Sequence, residues 1–315
     1  MIGHALSAHA SDVHVDPSGT DAVIRFRVDG HLCIHETIPT LLHESLILYV
    51  KSRARLRTDV HALPHDGRIT LGQCDVRVSL MPVAHGENIV LRILHRRPEP
   101  PSLRVLGFSD LQILLLTDAI HRTSGIVCIA GPTGSGKTTT LYSLLHEVLD
   151  VSRAVVTLED PIEYTMCGVR QIPVAPHLGF TFATGLRSVL RQDPDILMVG
   201  EIRDSETALL ACQAALTGHL VLTTVHAATT ERALSRLKNL GISDFLLAET
   251  VVRIVAQRLV RTFIHDSVTG RQVLCEMMSY THGIFSLETP SLQMHGRELV
   301  SSGITTAAEV NRVLQ

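Results

Sequence analysis

The 315-residue sequence has no tryptophan, four tyrosines and seven phenylalanines. That is too few rings for a platform that stacks single-stranded bases. Positive charge is not in excess either. The formal net charge of −3 gives no electrostatic footprint for wrapping nucleic acid or an acidic membrane. No apolar run approaches the ~18 residues that cross a bilayer. The opening residues Met1 to Ala5 lack the basic start and long apolar stretch of a signal peptide. The six cysteines, Cys33, Cys74, Cys128, Cys167, Cys212 and Cys275, include no C-x-x-C pair. A disulfide framework or cysteine zinc site is therefore not expected, and reduced thiols suit a cytosol. Lysine is scarce as well, with Lys51, Lys137 and Lys238 against 25 arginines. Chemistry that needs a lysine thus has few candidates.

What is present is ordinary globular composition, 45% hydrophobic and 19% charged, in a chain long enough for two domains. The clearest break is Arg96-Arg97-Pro98-Glu99-Pro100-Pro101-Ser102, whose prolines can continue neither a helix nor a central strand. We expect a small N-terminal α/β domain over residues 1–98, a proline-rich linker over 99–105, and a second domain over 106–315. In the first, Val23–Asp29 and Asp75–Ser79 alternate apolar with polar residues as half-buried strands do, Asn88–Leu94 reads as a third strand, and Leu41–Arg57 as a helix. The alternation gives this domain a basic sheet face. His31, Cys33 and His35 take alternate positions of a further strand, a weak candidate for metal ligation because no fourth ligand is apparent.

Beyond the linker, apolar runs at Gly125–Ala130, Ala154–Leu158, Asp195–Val199 and Leu220–Val225 alternate with helical segments at Asp110–His121, Thr138–Leu149, Phe182–Gln192, Ser205–Thr217 and Thr230–Leu240. Buried strands joined by helices predict βαβ units around a mainly parallel sheet. A last helical stretch is expected over Asp244–Val260, followed by a helical tail.

The chemistry begins at Gly131-Pro132-Thr133-Gly134-Ser135-Gly136-Lys137-Thr138, a complete G-x-x-x-x-G-K-[ST] motif between a strand and a helix, continued by Thr139. Its glycines let backbone N–H groups turn around a phosphate at a helix N-terminus. Lys137 is suited to the β- and γ-phosphates, and the Thr138 hydroxyl to Mg²⁺. Hydrolysis needs further carboxylates, for the metal and for the attacking water. They are on offer in Glu159-Asp160-Pro161-Ile162-Glu163 and in Ile196-Leu197-Met198-Val199-Gly200-Glu201, where acids follow apolar strands. Glu159 and Asp160 read equally well as catalytic groups and as solvated strand caps. His219 and His226 bracket the Leu220–Val225 strand, and His226, at its far end, is positioned to sense a γ-phosphate.

Together these motifs resemble the type II secretion and type IV pilus assembly ATPases. The likeness extends through Ser11–Pro17, Arg25–Gly30, Pro64–Arg68, Val76–Ser79, Gly86–Ile93, the phosphate loop, Glu159–Tyr164, Gly185–Arg187, Leu190–Asp195, Gly200–Asp204 and the histidine segment. The resemblance implies a RecA-like ATPase domain and a cytoplasmic, Mg-dependent ATP hydrolase. It also implies a homo-hexamer that acts on a polytopic platform protein at the inner face of the cytoplasmic membrane, and indirectly on pilins or pseudopilins. Glu163 becomes the catalytic carboxylate, Glu201 the metal-side glutamate, and His226 a member of the histidine box. Arg27, Arg77 and Arg92 of the first domain become candidates to complete the site, with Arg25 beside them. Their bland alternative is a solvated face, or pairing with Asp12, Asp29 and Asp75.

Three departures accompany the likeness. The chain starts almost at the Ser11 block, where secretion members carry an additional N-terminal domain. Thr262–Cys275 has one cysteine where many members hold a four-cysteine zinc module, so no zinc is expected. The retraction hallmark is missing, and the short competence-pilus motors are the nearest branch. A retraction motor and a RecA-like nucleic-acid motor are the rival readings.

Overall fold

The structure, a computed structural model of the whole chain, describes residues 1–28, 30–72, 74–95, 99–264, 267–281 and 284–315, with Leu94, His95 and Thr281 described in backbone alone. The chain divides into two units, Met1–Arg97 and Pro98–Gln315. Arg96, Arg97 and Pro98 of the expected break between the domains lie outside the described residues, as does Asp29.

The first unit runs α1 (Ile2–Ser7), β1 (Asp12–Ser18), β2 (Asp21–Val28), β3 (His31–Pro39), α2 (Thr40–Arg53), β4 (His65–Leu71), β5 (Cys74–Val83) and β6 (Gly86–His95). Its strands form an antiparallel sheet in the order β3-β2-β1-β6-β5-β4. Period-two alternation sets the faces. Ala22, Ile24 and Phe26 of β2 join Val76, Val78 and Leu80 of β5 in one buried cluster, which Ile47 and Val50 of α2 also enter. Residues directly opposite on neighbouring strands share a face, and on the other face the register aligns Arg27, Asp12, Arg92, Arg77 and Arg68 in one row. At the edge, the register shifts between Ile24 and Arg25, which leaves His35 without a partner in the ladder. Cys33 stays opposite Phe26, while the extra residue His35 stacks on the Phe26 ring and meets His4.

The second unit runs α3 (Leu103–Leu106), α4 (Asp110–Ile120), β7 (Gly125–Ala130), α5 (Lys137–Val148), β8 (Val155–Glu159), β9 (Val169–Pro173), α6 (Phe182–Val189), β10 (Ile196–Val199), α7 (Ser205–Leu216), β11 (Leu220–Val225), α8 (Thr230–Asn239), α9 (Asp244–Thr250), β12 (Val251–Ile264), β13 (Ser267–Thr281), β14 (Ile284–Leu287), α10 (Leu292–Ser301) and α11 (Ala307–Leu314). The sheet order is β14-β13-β12-β7-β11-β10-β8-β9, parallel from β12 to β9 and antiparallel from β12 to β14. The fold class is thus the expected α/β one. β7, β8, β10 and β11 are buried at every position, which is why they read as unbroken apolar runs. Alternate residues of β7 fall into two cores: Ile126, Cys128 and Ala130 into one, Val127 and Ile129 into the other. Helices therefore cover both faces.

Two expectations fail here. The helix expected over Asp244–Val260 stops at Thr250, and Val251–Ile264 is a strand beside β7. Its β-branched residues favour an extended chain once a parallel neighbour is available. The tail is not simply helical: β13 and β14 extend the sheet before α10 and α11. In the residues expected as linker, Ser102 caps α3, its hydroxyl accepting from the Val105 N–H.

Candidate nucleotide-binding site

The phosphate loop joins β7 to α5. Gly136 caps the helix at φ +82°, a left-handed conformation that glycine adopts without strain. At Gly131 the need is space, since a Cβ would lie 2.6 Å from the Gln257 carbonyl oxygen. Lys137 Nζ donates to the carbonyls of Gly131 and Pro132, both at 2.9 Å. Burial pulls its pKa down, opposed by the nearby Glu201 charge.

Parallel pairing puts the carboxyl ends of β7, β11, β10 and β8 side by side, where doubly wound sheets bind ligands. A cleft of about 320 Å³ opens there. Thr133, Gly134, Lys137 and Thr138 form one side of it, and Glu159, Asp160, Glu163, Glu201, Arg203 and His226 the other. Seven sequence candidates, Thr133, Gly134, Lys137, Thr138, Glu163, Glu201 and His226, thus line one cleft.

The acids differ in their surroundings. Glu159 is 2% exposed and accepts from Thr157 Oγ1 at 2.5 Å, from Gln171 Nε2 at 3.1 Å and from the Tyr142 hydroxyl. Buried and hydrogen-bonded in this way, Glu159 is an internal anchor and not the solvated strand cap of its second reading. Asp160 is exposed. The Glu163 backbone N–H donates to that same Tyr142 oxygen at 3.2 Å, so the anchor holds the loop that carries Glu163. Much of the Glu163 side chain is exposed, yet its carboxyl lies in the cleft. Loss of water there, and then the Glu159 charge, push its pKa up. Glu201 Oε1 accepts from Arg203 Nη2 at 2.6 Å, and its Oε2 lies 3.4 Å from His226 Nε2. That Oε2 is buried and accepts no hydrogen bond among the described residues. His219 is elsewhere, with Nδ1 2.9 Å from the Ala214 carbonyl at the end of α7.

Two partners escaped the sequence reading. Arg203 lies in a Gly-Glu-Ile-Arg-Asp segment that the resemblance includes, but only the fold puts its guanidinium on Glu201. Gln257 is 0% exposed and bonds the phosphate loop from β12; its local sequence does not disclose that contact.

Arg27, Arg77 and Arg92 belong to the first unit. Arg92 Nε donates to Asp12 Oδ1 at 2.9 Å, and Arg27 Nε lies 3.7 Å from Asp12 Oδ2. Burial opposes ionisation of Asp12, but hydrogen bonds from Arg92 and Ser11 hold its pKa below the usual value. Arg25 pairs with Asp16 at 2.7 Å and Arg68 with Asp75 at 2.7 Å. Arg77 makes no ion pair among the described residues.

A phosphate loop on a parallel sheet, facing acids on neighbouring strand ends, defines a P-loop nucleotide-binding protein. The family model described as type II/IV secretion system protein matches residues 1–300. The chain belongs to this family. It is 43% identical over 265 residues to type II secretion system protein E of Xanthomonas campestris, covering 83% of this chain and 47% of that protein. It is 45% identical over 270 residues to type II secretion system ATPase E of Vibrio cholerae, covering 84% and 54%. The chain thus spans about half the length of these curated relatives. In fold it matches the pilus retraction motor PilT with bound ADP, at TM-score 0.79 and 24% identity over 99% of this chain and 95% of that one. It also matches the Legionella pneumophila ATPase DotB, at TM-score 0.78, 24% identity and coverage of 99% and 94%.

Proposed function

We propose that this chain binds Mg·ATP in the cleft at the carboxyl end of its parallel sheet and hydrolyses it to drive assembly of a type II secretion pseudopilus or a type IV-like, competence-type pilus. The observation that carries this reading is the meeting of Lys137, Thr138, Glu163, Glu201 and His226 in one 320 Å³ cleft. Family membership supports it, and relatives named for type II secretion favour assembly over retraction. No described helix is long and apolar enough to cross a membrane. We propose that the chain works as a homo-hexamer, peripheral on the cytoplasmic membrane, against a platform protein.

In this reading the loop N–H groups and Lys137 hold the β- and γ-phosphates. Residues 131–139 supply this cradle. Glu163 orients a water and accepts its proton as the water oxygen bonds to the γ-phosphorus and the bond to the ADP oxygen breaks. Its raised pKa makes its ionised form a stronger proton acceptor than an unperturbed carboxylate. His226, beside Glu201, reads the γ-phosphate by hydrogen bonding. The donors suit Mg²⁺, because the buried Oε2 of Glu201 has no hydrogen-bond donor among the described residues and Thr138 adds a second oxygen. When bound, the ion would neutralise charge on the phosphate oxygens. Arg27, Arg77 and Arg92 are proposed to add positive charge to a nucleotide site within the hexamer.

Calorimetry with ADP and a steady-state phosphate-release assay test the roles. Lys137→Ala should abolish nucleotide binding. Glu163→Gln should keep nucleotide affinity and lose at least ~10²-fold in turnover. Turnover at the parental rate in the second variant would remove Glu163 from its assigned role.

A further inference from the structure

Gln257 sits where no phosphate-loop motif extends, yet it reaches both ends of that loop's helix entrance. Parallel pairing of β12 with β7 puts Ala256 opposite Ala130, so the next residue lies beside Gly131. The Gln257 side chain is wholly buried. Its Nε2 donates to the Ser135 carbonyl at 2.8 Å, and its Oε1 accepts from Thr140 Oγ1 at 2.8 Å. The Ser135 carbonyl can only accept, which fixes the amide orientation. Between the two bonded residues lie Gly136, Lys137, Thr138 and Thr139, the residues assigned to the phosphates and the metal. The amide therefore spans the segment whose shape decides how N–H groups, ammonium and hydroxyl converge on a phosphate.

The packing leaves little alternative. A Cβ at Gly136 would stand 3.0 Å from Gln257 Nε2, and one at Gly131 would stand 2.6 Å from Gln257 O. Gly136 thus makes room for the Gln257 side chain, and Gly131 for the backbone of β12. The clamp is itself held. Arg258 Nη1 donates to the Gln257 carbonyl at 3.0 Å, its Nη2 to Ala228 O at 2.9 Å, just beyond His226, and its Nε to Val313 O of α11 at 3.1 Å.

We infer that Gln257 is a positioning residue for nucleotide binding, acting through Ser135 and Thr140 on the loop between them. This inference rests on the reading of the cleft as the ATP site. It goes beyond that reading because residue 257 does not line the cleft and meets the phosphate loop from β12, through the Ser135 carbonyl and Thr140.

The experiment compares the parent with Thr140→Val, Thr140→Ser and Gln257→Leu. The readouts are the Kd for a fluorescent ADP analogue with Mg²⁺, KM and kcat for ATP, and the melting temperature without nucleotide. Thr140→Val keeps the shape but removes the donor, and should raise Kd and KM about fivefold, as one lost hydrogen bond of ~1 kcal/mol implies. Thr140→Ser restores the hydroxyl and should stay within about twofold of the parent. Gln257→Leu, losing both bonds, should weaken binding more than tenfold, with kcat less affected. If it fails to fold, the Val and Ser pair still decides. A parent that binds with Thr140→Val and Thr140→Ser indistinguishable, in either direction, overturns the inference while leaving the site reading intact. A parent that binds no nucleotide overturns the site reading first, and this inference with it.

Discussion

At Glu163 partial loss of water and then the nearby Glu159 charge work against ionisation, so the pKa is raised. A proposed base must be ionised to act. Turnover should therefore fall on acidification at a higher pH than it would for an unperturbed carboxyl. Glu159→Gln removes the neighbouring charge and should move that acid limb to lower pH, as a kcat profile across the acid range would record. An unmoved limb would separate Glu159 from the tuning of Glu163. Single residues were also where the sequence was least informative. Lys137 and Thr138 announce themselves in a continuous motif. Gln257 lies 122 residues from the Ser135 carbonyl it bonds, and only the β7–β12 register brings the two together. Arg92 was readable as a basic residue on a strand face, whereas its hydrogen bond to Asp12 depends on cross-strand alignment.

Among elements, the strands buried on both sides were the most legible. Leu220–Val225 has the same bounds as the expected run, because its apolar residues are needed on both faces. β9 has no such signal: its burial is partial and it carries Arg170 and Gln171. β12 was misread as helix because an apolar stretch with polar residues at Arg253, Gln257 and Arg258 also fits a helical period. Behind β12, helix α11 is fastened through Glu309, whose carboxylate accepts from the Arg261 backbone N–H at 3.0 Å and from both the Arg261 and Arg312 guanidiniums. Hydrogen bonds from Arg312, against the cost of burial, and then from Arg261 hold its pKa far below the usual carboxylate range. A depressed native pKa contributes stability above the unfolded-chain pKa and loses it as pH falls. Glu309→Gln should accordingly destabilise by about 2 kcal/mol at neutral pH in denaturant melts. The gap from the parent should narrow only below the ordinary carboxylate range. A constant gap at all pH values would mean that shape rather than charge holds α11.

Across the whole molecule, the fold class was readable from the switch between half-buried strands in the first unit and fully buried strands alternating with helices in the second. Among the described residues each unit has apolar clusters of its own, one in the first and two in the second. Unfolding is therefore expected in two calorimetric steps, since separate cores need not melt together. The arginine row across the first sheet then makes those steps respond differently to electrolyte. Arg77 lies directly opposite Arg68 on one neighbouring strand and Arg92 on the other, at a strand spacing of about 5 Å, which is inside the ~8 Å screening length at physiological ionic strength. Asp12 and Asp75 offset only part of the repulsion. Adding simple salt at constant pH should raise the melting point of the first unit, the reverse of what a protein fastened by surface ion pairs does. In that sense the sheet face behaves as a compressed polyelectrolyte, relaxed by whatever counter-ions the surrounding solution provides.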